Sequence, residues 1–256
     1  FSQVEMSASG RYVAVIDTEF KPNQDPAKVT SIPYLRIWDV ETGEEIVHIE
    51  KTLMTMPRDI IFTHDETQAY ISYPNLIETL DLKIGQVIKS TPITTSLNFN
   101  NPITPDGKHI VTSSGYSIVG IDIETGKDSI LLTLTDFTFP FTTSFSNDHS
   151  LIAVSVMKAD ETRPYRVLIY EWESKTLVCE LMGHNDIVRQ ITFDNENKNA
   201  YSVDDNGVIL MWDLEKCKAK ASFLALGEED YIIQIPDGYY KASKGDIASI
   251  GFRQNG

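Results

Sequence analysis

The sequence predicts an all-β propeller of about five four-stranded blades followed by an atypical C-terminal hairpin. Two observations carry this expectation. First, an apolar residue followed by an acid and a polar turn recurs at Trp38-Asp39, Leu80-Asp81, Ile121-Asp122, Tyr170-Glu171 and Trp212-Asp213. The separations are 42, 41, 49 and 42 residues, on the roughly 40 to 45 residue period of four-stranded propeller blades. Second, the stretches between these anchors alternate apolar and polar residues and are bounded by turn-forming residues, as in antiparallel hairpins. One such sheet is too small to bury its own apolar faces, so the units must stack around an axis.

The unit is clearest in its fifth copy. Gly183-His184 precedes the apolar positions Ile187, Val188, Ile191 and Phe193; a turn over residues 194–198 leads to a strand over 200–203. The turn Asp205-Asn206-Gly207 suits a hairpin into the strand that ends at Trp212, and a fourth strand begins at Ala219. The first copy runs through 11–17, 35–39 and 45–49, with Glu41-Thr42-Gly43 as a turn. The second runs through 59–62, 68–72, 77–81 and 86–90. The third has the turns Thr104-Pro105-Asp106-Gly107 and Glu124-Thr125-Gly126, and the fourth has Ser146-Asn147-Asp148 before strands over 151–156 and 166–170. Two polar, proline-bearing insertions, residues 18–33 and 157–164, fall between the second and third strands of their blades and read as surface excursions.

With 256 residues and 41% hydrophobic content, the chain is long enough for one large core. A net charge of -15 argues against nucleic acid as the main ligand, since phosphate binding needs a basic surface. No apolar run is long enough to span a bilayer and no leader is visible, so a soluble chain is expected. Cys179 and Cys217 lie at different offsets from their anchors, Tyr170 and Trp212. That spacing does not decide against a disulfide, and the pair reads as two reduced, buried small residues. On this reading the cytoplasm is the preferred compartment.

Trp-Asp at 38 and 212, Gly-His at 183, Pro-Asp-Gly at 105 and Glu-Thr-Gly at 41 and 124 together resemble the WD40 repeat propellers, over residues 1–224. The resemblance implies a buried hydrogen-bond relay in the fifth blade, formed by His184, Ser202, Asp205 or Asn206, and Trp212. Seven blades are usual in that family although propellers of four to eight exist, so five units leave the completeness of the ring open. Residues 225–256 depart from the repeat. Their passage from Pro236-Asp237-Gly238-Tyr239-Tyr240 to Gly251-Phe252-Arg253 resembles the segment joining WD40 repeats to a caspase-like peptidase domain in some bacterial proteins. That second resemblance implies a longer polypeptide, and an alternative role as the regulatory half of a caspase-like cysteine protease with its catalytic domain outside this chain.

No catalytic, metal or cofactor site is expected within the chain itself. The five histidines, His48, His64, His109, His149 and His184, show no metal-ligand spacing. The acidic runs at 194–197 and 204–207 lack the glycine and distal glutamate of a calcium loop and fall where hairpin turns are wanted. Nor is there a phosphate loop or a nucleophile elbow. The binding expectation is positional. Four residues before the anchor of each blade's first strand stand Ser2, Arg58, Phe99, Phe141 and Arg189, and the WD40 resemblance places these at the channel mouth. Arginine and aromatics are favoured at binding hot spots. The expected function is a non-catalytic scaffold or sensor that binds a protein or peptide, the arginines suiting an acidic one.

Overall fold

The computed structural model describes residues 3–22, 29–50, 56–97, 101–134, 138–159, 162, 165–225, 230–236 and 238–243. The chain divides into two units, Phe1–Thr133 and Leu134–Gly256. The first unit holds three blades. Blade 1 is β1 (Gln3–Met6), β2 (Tyr12–Pro22), β3 (Val29–Asp39) and β4 (Glu44–Glu50); blade 2 is β5 (Asp59–Phe62), β6 (Gln68–Tyr73), β7 (Leu76–Asp81) and β8 (Gln86–Pro92). Blade 3 is β9 (His109–Ser114), β10 (Ser117–Asp122) and β11 (Asp128–Thr133), preceded by a first strand reduced to the bridge Ile103–Ile110. Pro102 and Pro105 flank that bridge, and proline has no N–H to extend a ladder. The second unit holds blade 4, made of β12 (Thr138–Phe145), β13 (Leu151–Lys158), β14 (Tyr165–Glu171) and β15 (Leu177–Met182), and blade 5. Blade 5 is β16 (Val188–Phe193), β17 (Asn199–Asp204), β18 (Val208–Asp213) and β19 (Lys218–Ala225). Strands pair in chain order within each sheet.

Turn chemistry explains the recurring anchors. The acid at the end of each third strand closes the turn after it. Asp39 Oδ1 accepts from the amides of Glu41 (3.0 Å) and Thr42 (3.2 Å), and Asp81 Oδ1 from those of Lys83 (2.9 Å) and Ile84 (3.2 Å). Asp122 and Asp213 do the same to Thr125 N (2.7 Å) and Lys216 N (3.0 Å). Four residues after each acid the backbone is left-handed, at Gly43, Gly85, Gly126, Lys175 and Cys217, with φ from 52° to 73°. Two of these glycines are also sterically required: a Cβ on Gly85 would lie 2.4 Å from Ile46 O and one on Gly126 1.9 Å from Pro92 O. In blades 2 and 3 the left-handed glycine therefore faces the fourth strand of the preceding blade.

A second repeated turn carries no signal in the anchor period. The hydroxyls of Ser7, Thr63, Thr104 and Ser146 accept the amide five residues later, from Tyr12, Gln68, His109 and Leu151 at 2.9 to 3.1 Å. Asp194 takes the same place in blade 5, accepting from Asn199 N at 3.1 Å. Each blade thus has two ends of different character. One carries the first-to-second and third-to-fourth turns; the other carries the second-to-third hairpin and the start of the first strand.

Apolar faces meet between neighbouring blades. Ile37, Leu35, Val47, Ile71 and Leu80 are among the buried residues joining blades 1 and 2; Ile77, Leu97, Ile110 and Ile121 join blades 2 and 3. In the second unit Val167, Ile169 and Leu181 of blade 4 pack with Ile191, Phe193, Leu210 and Trp212 of blade 5. At about 25 cal/mol per Å2 of apolar surface buried, such seams supply most of the favourable free energy of folding.

Two sequence expectations change here. Residues 18–22 and 29–33 are not a loose excursion but continue the β2–β3 ladder, with Thr18 opposite Pro33 and Pro22 opposite Val29. Thr18, Phe20, Thr30 and Ile32 are strand-favouring types, and Pro33 is tolerated because it lies beyond the last β3–β4 pair, Tyr34–Glu50. The cysteines are also not a reduced pair: Cys179 and Cys217 form a disulfide, with a Cα–Cα distance of 5.4 Å. Their unequal offsets misled because residues that face each other across a seam belong to different parts of their blades. Cys179 is on the fourth strand of blade 4, and Cys217 holds the left-handed position in the turn of blade 5. The preference for the cytoplasm rested on the small number of cysteines and on the lack of a visible leader, and the disulfide weakens the first of these grounds. No helix of the described residues is long and apolar enough to cross a membrane.

The tail hairpin adds to blade 5. β20 (Tyr231–Gln234) pairs with β19, and β21 (Tyr240–Ala242) pairs with β20, so this sheet has six strands. Residues 244–256, including the Gly251-Phe252-Arg253 passage, lie outside the described residues.

Candidate functional site: blade ends and a buried relay

The relay in blade 5 is a closed chain of hydrogen bonds. Trp212 Nε1 donates to Ser202 Oγ at 2.7 Å; His184 Nε2 lies 2.6 Å from the same oxygen, and His184 Nδ1 lies 2.9 Å from Asp204 Oδ2. One proton assignment satisfies every group: indole N–H to Ser202, Ser202 O–H to His184 Nε2, and His184 Nδ1–H to the Asp204 carboxylate. The other oxygen of Asp204 accepts the amides of Asn206 (3.1 Å) and Val208 (3.0 Å), tying the β17–β18 turn into the core. Burial pushes the His184 pKa below its ordinary value, against the upward pull of Asp204, so the neutral ring is favoured. Gly183 precedes it because a Cβ there would approach Trp212 to 3.1 Å and Leu210 to 3.0 Å.

The acid in this chain is Asp204, not Asp205 or Asn206. Side chains alternate along a strand, so Ser202 and Asp204 share a face of β17 while Asp205 begins the turn on the other. Asp205 instead forms a bidentate pair with Arg189, Nε–Oδ1 2.8 Å and Nη2–Oδ2 2.7 Å. A serine, a histidine and an aspartate in this order have the connectivity of a hydrolytic triad, but the environment is wrong for one. His184 and Ser202 are each 2% exposed, and Trp212 occupies the serine oxygen that would attack.

The residues expected at the binding end fall in different surroundings. Arg58 is partly buried just ahead of β5; its amide bonds Ser72 O (2.8 Å) and its Nη1 bonds Leu97 O (3.2 Å). Phe141 is partly buried in β12, inside the bulge between Pro140 and Thr143. Arg189 is exposed and held by Asp205. Ser2 and Phe99 lie outside the described residues.

Beside Arg58 the first unit holds a polar cluster that spacing did not reveal. Asp59, 1% exposed, accepts at Oδ1 from Gln3 Nε2 (2.8 Å) and Ile60 N (3.0 Å), and at Oδ2 from Asn101 N (2.9 Å) and Asn101 Nδ2 (3.2 Å). It links the first strands of three blades. Only the positions of Gln3, Asp59 and Asn101 near the start of each blade could have suggested it. Burial is the largest influence on Asp59 and, despite the four N–H donors, pushes its pKa up to about 6; burial also raises Glu5 of β1. In the second unit Lys158 Nζ lies 2.8 Å from Glu180 Oε1, which Arg166 Nη1 also contacts.

Asp59 gives the stability a pH dependence of defined sign. Its folded pKa lies above the ordinary 3.8, so its contribution is fully present below about pH 4 and is lost as pH rises through about 6. Asp65 and Asp106, held low first by the hydroxyls of Thr63 and Thr104, and Asp148, held at about 2 first by the Ser150 amide, act oppositely. Their contribution is present above the ordinary value and lost as pH falls through their folded pKa. Denaturant unfolding should therefore show stability rising by roughly 1 to 1.5 kcal/mol from about pH 7 to about pH 5, with the opposing loss from the lowered acids setting in below about pH 4. Asp59→Asn should remove the rise and keep the acid fall. A rise that survives in Asp59→Asn would assign it to another group.

The comparisons with known proteins bear on the fold. The chain superposes with a TM-score of 0.63 on the β-propeller domain of Cps50 (Swd1) from Myceliophteria thermophila, covering 95% of this chain and 85% of that one at 9% identity. The fold is a five-bladed β-propeller. A second similar structure, hydrazine synthase from Kuenenia stuttgartiensis, gives a TM-score of 0.57 at 15% identity, over 91% of this chain and 76% of that one. In sequence, 40 residues are 47% identical to Protein DSE1 of Kluyveromyces lactis, spanning 16% of this chain and 7% of that protein. No family model matches the chain.

Proposed function

We propose that the chain is a non-catalytic propeller that binds a protein or peptide at the blade end carrying Arg58. The observation that carries this reading is Arg58: its guanidinium is anchored by one bond to Leu97 O, beside the Asp59 cluster that joins three first strands. An arginine fixed in this way loses little side-chain entropy on meeting a carboxylate, and it offers a planar fork of donors. In the second unit, taken by itself, Phe141 lies at a bulge, where a side chain is re-aimed. Arg189 of that unit is the weaker candidate contact, because a ligand carboxylate must first displace Asp205. The relay is consistent with this reading, since its serine–histidine–aspartate constellation is closed to substrate.

An array of acidic and neutral peptides probed with the full chain tests the proposal. Arg58→Glu should weaken binding to the acidic members at least about tenfold while leaving the thermal midpoint in place. Arg189→Glu should have a smaller effect, the exposed pair with Asp205 contributing about 1 kcal/mol or less. Unchanged binding in Arg58→Glu, or an equal loss of stability, would assign Arg58 to structure.

A further inference from the structure

The seam between blades 4 and 5 is built differently from those of the first unit. There a glycine occupies the left-handed turn position and lies against the preceding blade's backbone; here the position is Cys217, bonded to Cys179. The two sulfurs have unequal surroundings. Cys217 is partly exposed in a surface turn, whereas Cys179 is 2% exposed among Ile169, Leu181 and Leu210. A cleft of about 530 Å3 opens beside the blade 4 end of the bond, with Leu151, Ile169 and Cys179 on its wall and Lys198, Lys220, Asp213 and Glu215 among its lining residues. That volume is in the range of small-molecule sites.

We propose that Cys217 and Cys179 are a redox couple that closes by exchange with a low-molecular-weight disulfide, Cys217 being the entry thiol and Cys179 the resolving one. Exposure sets the order, since thiol exchange depends on access to the attacking sulfur. The Cys217 thiolate attacks one sulfur of the small disulfide; that S–S bond breaks and the first small thiolate leaves, taking a proton from water. Cys179 then gives its proton to water and attacks the Cys217 sulfur, expelling the second small thiolate and leaving the protein disulfide. The small disulfide is reduced by two electrons, and the two cysteines are oxidised by two. Lys198 and Lys220 line the neighbouring cleft together with Asp213 and Glu215, so the lining selects no sign of charge and the reagent is defined by its disulfide alone.

The seam does not depend on the bond for its geometry. Asn147 N bonds Asn197 Oδ1 (3.1 Å), Asn147 Nδ2 bonds Asp194 O (3.0 Å) and Ser155 Oγ bonds Val188 O (2.8 Å), over the shared apolar core. Both redox forms therefore keep the blades in register.

The test uses the full chain, reduced and desalted under native conditions. In a short pulse of N-ethylmaleimide followed by peptide mapping, Cys217 should be labelled at least about tenfold faster than Cys179. With oxidised glutathione, the wild type should pass through an adduct on Cys217 and end as the internal disulfide. Cys179→Ala should stop at a stable Cys217 adduct, and Cys217→Ala should take up none. Equal labelling of the two cysteines in the wild type overturns the proposal without reference to any variant. So does an adduct on Cys179, or a wild-type adduct that persists.

Discussion

Reducing the Cys179–Cys217 bond is expected to lower the stability of the unit Leu134–Gly256 by about 3 to 4 kcal/mol. The bond closes a loop of 38 residues in sequence, and a cross-link of that span restricts the unfolded chain by about that much on the loop-entropy account. The apolar contacts between blades 4 and 5 remain after reduction, so the loss should appear as an earlier denaturant midpoint and not as a missing transition. Denaturant unfolding of the full chain with and without a phosphine reductant checks this. A change under about 1 kcal/mol would mean that the linked segments are already close in the unfolded ensemble. Loss of β structure without denaturant would mean that the noncovalent seam is weaker than its contacts imply.

Removing the indole at the centre of the relay should cost as much or more. Trp212→Ala is expected to destabilise by about 3 to 5 kcal/mol, because Trp212 is 1% exposed and packed in the blade 4–blade 5 core, and its loss leaves a cavity. It also takes away the donor that orients Ser202. A sharper comparison lies between two adjacent acids. Asp204→Ala should cost about 2 to 4 kcal/mol, leaving His184 Nδ1–H and two turn amides without their buried acceptor. Asp205→Ala should cost under about 1 kcal/mol, since it removes only the exposed pair with Arg189. Unfolding midpoints of the two variants measure the difference directly. Equal costs would contradict the assignment of Asp204 to the relay.

The fold was legible because its repeated residues do repeated physical work. The anchor acids recur since each closes a turn with its carboxylate, and the glycines at 43, 85 and 126 recur since the chain is left-handed there. Blades 4 and 5 blur the pattern by placing Lys175 and Cys217 in the same backbone conformation. The Ser or Thr turns at 7, 63, 104 and 146 were equally regular but use side chains too common to stand out. Asp204 was within reach of the sequence. Strand alternation puts it, and not Asp205, on the face of Ser202, but the glycine turn that follows drew attention one residue too far.

The candidate site was less legible for a different reason. Gln3, Asp59 and Asn101 meet only because three first strands converge, and no spacing within one repeat encodes a contact among three repeats. The disulfide escaped for the same cause: its two residues hold unlike places in adjacent blades. Period analysis finds what each blade shares, whereas these contacts depend on how blades differ.

The binding proposal is tested most directly by site-specific photo-crosslinking of the full chain in cell extract. The crosslinking residue is placed at Ser96, exposed beside the Leu97 carbonyl that anchors Arg58, so that Arg58 itself is kept. The control is placed at Lys83, in the third-to-fourth turn at the opposite end of the same blade. The account predicts an adduct from position 96 that Arg58→Glu abolishes, and none from 83. An adduct from 83 alone, equal yield from both positions, or an adduct from 96 that survives Arg58→Glu would contradict it.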